Sequence, residues 1–98
     1  MSRKKLIIIL PLDLILDARI SSNAKIVYAV LQSLMRGKPK PGQTPSVRVT
    51  HREIVDKSGL SLRTVLKSLS GLSDAGWISR EPHAGFANEY RLTTAPAA

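Results

Sequence analysis

Apolar positions change their spacing along the chain, and each change marks an element. From Asn23 to Arg36 the residues Ile26, Val27, Val30, Leu31 and Leu34 recur three and four apart, which predicts a helix, and Ser21 or Ser22 supplies its N-cap. A second stripe, Leu62, Val65, Leu66, Leu69, Leu72 and Ser73, predicts another helix opened by Ser61 and closed by Gly76. Between them Thr50-His51-Arg52-Glu53 has the form of a capping box, in which each end of the quartet satisfies a free backbone N–H of the other. A short helix carrying Ile54 and Val55 follows and ends at Ser58-Gly59. Beyond Gly76 the period falls to two. Trp77 to Glu81 and Asn88 to Leu92 read as paired strands joined by Pro82 to Ala87, with Tyr90 and Leu92 facing a core and Trp77 in a core or hinge role. Val47-Arg48-Val49 alternates like a minimal strand.

The remaining segments are less regular. Leu6 to Leu10 is apolar without alternation and reads as a short strand or inserted arm. Pro11 to Ile20 carries Leu12, Ile15, Leu16 and Ile20, which predicts one or two helical turns with proline near the start. The stretch 37–45 holds three prolines and two glycines among its lysines and is expected to be a basic loop, since both residue types break helices and central strands. The pattern therefore predicts an α+β domain, a three-helix core with a small antiparallel sheet, over residues 11–93. An N-terminal arm (1–10) precedes it, and a tail or start of a linker (94–98) follows.

Composition narrows what such a domain can do. Ninety-eight residues bury one core, and 43% hydrophobic residues suffice to fold it. Fifteen Lys and Arg against seven Asp and Glu leave a net charge of +8, so the molecule attracts polyanions, nucleic acid first and an acidic lipid surface second. With no cysteine, thiolate metal sites and disulfides are excluded. The apolar run after Arg3-Lys4-Lys5 is interrupted by Pro11, Asp13 and Asp17, and is too short for a bilayer span. A cytoplasmic, nucleoid-associated protein without membrane partners is the expectation. His51 and His83 lack ligand spacing and read as surface groups, and no nucleophile elbow, phosphate loop or carboxylate pair is present. Neither an enzyme nor a cofactor, metal or small-molecule substrate is expected.

Thr50 to Gly76 carries the functional signal: a short capped helix, a turn with Gly59, then a longer helix, the grammar of a helix-turn-helix. Opposite the apolar stripe of the longer helix fall Arg63, Thr64, Lys67, Ser68 and Gly71, a basic, short-chained face that can enter a major groove. Arg63 and Lys67 can donate to guanine edges or phosphates, and Thr64 and Ser68 can contact either. Ser61, at the helix N-terminus, can hold a phosphate. A basic face on an isolated helix is usually only a solvated one, and its place in this two-helix unit is what points to DNA.

Ser21-Ser22-Asn23-Ala24-Lys25-Ile26-Val27-Tyr28, the Gly59-Leu60-Ser61-Leu62-Arg63-Thr64-Val65 run and Leu72-Ser73-Asp74-Ala75-Gly76-Trp77-Ile78 resemble the winged helix-turn-helix domains at the front of bacterial and phage replication initiators, and in small transcriptional regulators. The resemblance covers residues 11–93. It implies a winged-helix fold and double-stranded DNA binding in replication initiation or transcription control, with 61–75 as recognition helix and 79–91 as wing. Arg80, His83 and Arg91 would then serve backbone or minor-groove contact, and Arg52 joins them as a candidate. The alternative is a winged-helix module docking on an acidic protein, whose mark would be a large exposed apolar patch, which the stripe as read does not leave. Leu6 to Leu10 is expected to pair with a sheet edge of its own domain or of a second copy, as in a homodimer.

Overall fold

The computed structural model describes residues 10–35, 45–82 and 88–93. Local capping chemistry sets most of the element ends. Leu12–Ile15 form α1, a single turn entered through Pro11. Ser22–Ser33 form α2, whose N-cap Ser21 accepts from Ala24 N–H at 3.1 Å. After β1, Ser46–Val49, the predicted capping box closes at Thr50 and Glu53 and opens α3, His51–Ser58. Gly59 ends α3 at φ 74°, a left-handed conformation that favours glycine. Ser61 caps α4, Leu62–Asp74, by accepting from Thr64 N–H at 3.2 Å.

The end of α4 is a Schellman motif. Gly76, at φ 82°, donates to the Ser73 carbonyl at 3.1 Å and Trp77 donates to the Leu72 carbonyl at 2.9 Å, so the last helical turn and the chain reversal are fixed together. The chain then enters β2, Ile78–Pro82, and returns as β3, Asn88–Leu92. Trp77 itself precedes the strand. All pairing is antiparallel and the sheet order is β1-β3-β2, with β3 central between its sequence neighbour β2 and the distant β1. Val47, Val49, Tyr90, Leu92 and Ile78 point from this sheet into the core beneath the helices.

Trp77 ties the layers together. It is 2% exposed, packs edge-on against Tyr28 of α2 at 6.3 Å between ring centroids, and donates its indole N–H to Asp17 Oδ2 at 3.0 Å. Tyr28 in turn donates to the Thr93 carbonyl at 3.1 Å, and Thr93 donates to the Trp77 carbonyl at 2.9 Å. The expected core role of Trp77 is therefore met.

Two apolar faces differ from those the pattern predicts. Leu12, Ile15 and Leu16 are exposed while Leu14 and Ile20 are buried, because a one-turn helix has no lasting stripe and the chain leaves it at Leu16. In α2 the buried set is Ala24, Val27, Tyr28 and Leu31, which turns Ile26 outward, and the helix stops at Ser33 with Leu34 as C-cap. The arm at 1–9, the loop as far as residue 44, the turn with His83 and the tail lie outside the described residues. Among the described residues no helix is long and apolar enough to cross a membrane.

Candidate nucleic-acid interface

Helix α4 is held at both ends by caps and from behind by Val65, Ser68, Leu69 and Leu72, its buried line. That line is turned by about 50° about the helix axis from the one the apolar pattern predicts, at about 100° per residue. Ser68 is consequently only 4% exposed and does not stand on the outer face expected of it. The small residues Ser68 and Gly71 of α4 lie with Ala24 of α2 along one groove, and short side chains there admit close helix approach. Leu62 and Leu66, expected inside, are instead 51% and 43% exposed, so the helix does carry surface apolar area that the sequence pattern placed in the core.

The outermost line of α4 is Arg63, Lys67, Ser70 and Asp74, all exposed and spaced one turn apart in succession. Arg63 and Lys67 thus hold the outward position assigned to them. No hydrogen bond or ion pair engages either side chain among the described residues. Thr64 is half-buried on the flank towards α2, its hydroxyl accepting from Ser61 Oγ at 2.9 Å. Ser61 is exposed but spends one oxygen lone pair on the cap. Arg52 is exposed in the first turn of α3, and His83 lies outside the described residues. Ser70 and Asp74 were missed. The signal for them was present, since charged or polar residues at 63, 67, 70 and 74 make a helical stripe of their own.

The two arginines expected on a wing separate on the β2-β3 hairpin. Cross-strand partners share a face of the sheet, and Arg80 is opposite the buried Tyr90, whereas Arg91 is opposite Ser79. Arg80 therefore stands on the side of α4, where it donates to Asn88 Oδ1 at 3.3 Å and lines a cleft with Leu66, Ser70 and Asp74. Arg91 is on the reverse side, paired with Glu81 Oε1 at 2.8 Å. Only Arg80 shares a surface with the α4 stripe.

His51 is not the free surface group expected of it. Partly buried at the start of α3, its Nε2 shares a hydrogen bond of 3.2 Å with the Tyr90 hydroxyl. Burial, with the Arg80 charge adding to it, lowers its pKa below the ordinary value and favours the neutral ring. Asp17 shifts the same way for another reason: hydrogen bonds from Arg19 and then from Trp77 hold its carboxyl well below the usual carboxylate range. Arg19 is thereby fixed beside the start of α2. Among the described residues no group of His, Asp and Glu is placed to hold a metal ion.

No family model, characterised protein or solved structure matches this chain. The functional reading accordingly rests on the placement of its residues. Among the described residues Arg63 and Lys67 are unengaged on the outer line of α4, and Arg80 of the β2-β3 hairpin, lightly engaged, faces the Ser70 and Asp74 end of that line. Arg91 of the same hairpin is paired with Glu81 on the other side.

Proposed function

We propose that this domain is a winged helix-turn-helix that binds double-stranded DNA and reads its sequence, in replication initiation or transcription control. Helix α4 enters the major groove and the β2-β3 hairpin flanks it. The observation that carries this reading is the placement of Arg63 and Lys67 one turn apart on the outermost line of α4, exposed and unengaged, on the second helix of a capped two-helix unit. Arg63 lies in the first turn, where recognition helices bring residues to base edges, and its planar fork matches the two acceptors of guanine. Lys67 is a point charge suited to phosphate or base. Asp74 places a carboxylate at the far end of the same line, which confines favourable approach of a phosphate backbone to the first two turns.

The test is a selection from random duplexes followed by titrations of the enriched and a random duplex at one salt concentration. Arg63→Ala costs about 1–3 kcal/mol on the preferred site and much less on random DNA. An equal loss on both would assign Arg63 to the backbone, and no loss on either would move the binding face off α4. A second reading, docking on an acidic protein, is favoured by one observation, the exposed pair Leu62 and Leu66 beside the cations. It predicts that no duplex is enriched over random DNA.

A further inference from the structure

Helices α2 and α4 enclose a groove of about 350 Å³ on the side of α4 away from the wing, with Arg19, Asn23, Thr64, Lys67, Ser68 and Gly71 in its lining. Lys67 borders it as a cation without a partner among the described residues, Arg19 borders it paired with Asp17, and none of its lining residues is acidic. Asp17, the nearest carboxylate in sequence, is engaged by both Arg19 and Trp77. The twelve-residue α2 begins at this groove. Its N-cap Ser21 takes up the N–H groups of Ala24 and Lys25, which leaves those of Ser22 and Asn23 without an acceptor among the described residues.

A second and independent feature points to a ligand. Ser68 is 4% exposed and lines the groove, yet its hydroxyl has no hydrogen-bond partner among the described residues. The oxygen is not sealed off, since the enclosed side-chain atom without a partner among the described residues is Gln32 Oε1; the Ser68 hydroxyl opens onto the groove and can donate to a ligand there. Gly71 keeps the space open: a Cβ built there meets nothing within 4 Å. Donors converge from a helix N-terminus, a hydroxyl open to the groove and a lysine, with the remaining N–H groups of Arg19 held beside them by Asp17. That combination suits a tetrahedral oxyanion with several acceptor oxygens.

We infer that this groove binds a phosphate group. If the proposed DNA reading holds, the phosphate belongs to the duplex backbone beside the major groove entered by α4, and the groove fixes register without reading sequence. The same chemistry would also take a free phosphate compound, and the experiment separates the two sources. Backbone amide resonances of the full chain are followed on addition of inorganic pyrophosphate and, separately, of the enriched duplex. The wild type is compared with Gly71→Glu, which projects a carboxylate into open space, and with Ser46→Glu, which adds the same charge on β1.

In the wild type and Ser46→Glu, pyrophosphate shifts the Ser22, Asn23 and Ala24 amides saturably, and in Gly71→Glu it does not. Gly71→Glu also weakens duplex binding by at least about tenfold on every sequence alike, since a like charge now faces the backbone. Its slope of log K against log salt is smaller by about 0.9, one phosphate contact. Circular dichroism confirms that the variant is folded. Silent 22–24 amides with both probes, and unchanged duplex affinity in Gly71→Glu, would overturn the inference while leaving the role of Arg63 intact. Saturable pyrophosphate binding without any duplex binding would uphold the groove as a site for a free phosphate compound and overturn the DNA reading instead.

Discussion

Replacing Gly71 by alanine separates backbone propensity from packing at the α2–α4 groove. Gly71 lies inside α4 with ordinary helical backbone, and the added methyl meets no atom within 4 Å, so no clash offsets the gain from removing a glycine. Glycine in a helix interior is about 0.8–1 kcal/mol less favourable than alanine, mostly through the freedom its unfolded chain loses on folding. Gly71→Ala is therefore expected to raise the unfolding free energy by about 1 kcal/mol, and the melting temperature by about 4–8 °C for a domain of this size. Gly59 is the internal control. A methyl there also meets open space, but φ is 74°, and an L side chain in that conformation costs about 1–2 kcal/mol. Gly59→Ala should destabilise by an amount of that order, with the opposite sign. Urea and thermal unfolding are read by far-UV circular dichroism and by the fluorescence of Trp77, the sole tryptophan. A destabilised Gly71→Ala would show that α2 closes on α4 and that the groove is not open.

Trp77→Ala removes a fully enclosed indole that bridges α2, the α1–α2 connection and the sheet, and should cost about 3–5 kcal/mol, most of the stability of a small domain. Chemical denaturation by circular dichroism checks it, and a loss under about 1 kcal/mol would contradict the packing described for this residue. On the proposed DNA reading, Arg80→Ala in the β2-β3 hairpin should weaken binding to all duplexes and reduce the salt slope by about one. Arg91→Ala, already paired with Glu81 on the reverse face, should do neither. Equal effects of the two would refute the assignment of faces. Stability should fall with acid: His51 and Asp17 both have folded pKa values below their unfolded ones, so each stabilises above its unfolded pKa and less as pH falls through it. His51 acts below its ordinary value near 6.5 and Asp17 in the carboxylate range. Tyr90→Phe, which deletes the hydrogen-bond partner of His51, should change the upper of these two steps, as measured by unfolding between neutral and mildly acid pH.

The elements that were legible in the sequence are those whose ends are decided by neighbours three or four residues away. Thr50 with Glu53, Ser61 with Thr64 and Gly76 after Ser73 are local chemistry, and all three form as read. Alternation likewise put Tyr90 and Leu92 inside. What failed depends on distant partners. The buried line of α4 is chosen by α2, where Ala24 accepts a small neighbour and draws Ser68 rather than Leu62 or Leu66 inward. The split between Arg80 and Arg91 needs the register of β2 on β3, and the place of β1 beside β3 needs a pairing across some forty residues. The engagement of Asp17 by Trp77 spans sixty positions and leaves no local trace.

Ion pairing, local at Arg19 and cross-strand at Arg91, also decides which cations remain available to a partner. Arg19 and Arg91 each have a carboxylate within 2.8 Å, and the pairs are largely surface ones worth about 0–1 kcal/mol, so their consequence is to fix and locally neutralise the guanidinium more than to stabilise the fold. Among the described residues Arg63 and Lys67 have no such partner, and the like charge of Arg80 stands across the cleft from Ser70 and Asp74 of their helix. A net charge of +8 alone would attract any polyanion from any side. Pairing on the reverse face of the β2-β3 hairpin, and its absence among the described residues at Arg63 and Lys67, give that general attraction a direction. Among the described residues Arg52 and Lys57 of α3 are exposed cations without a partner as well, so the unengaged charge lies on the α3–α4 unit, whose second helix carries the Arg63 proposed to read bases.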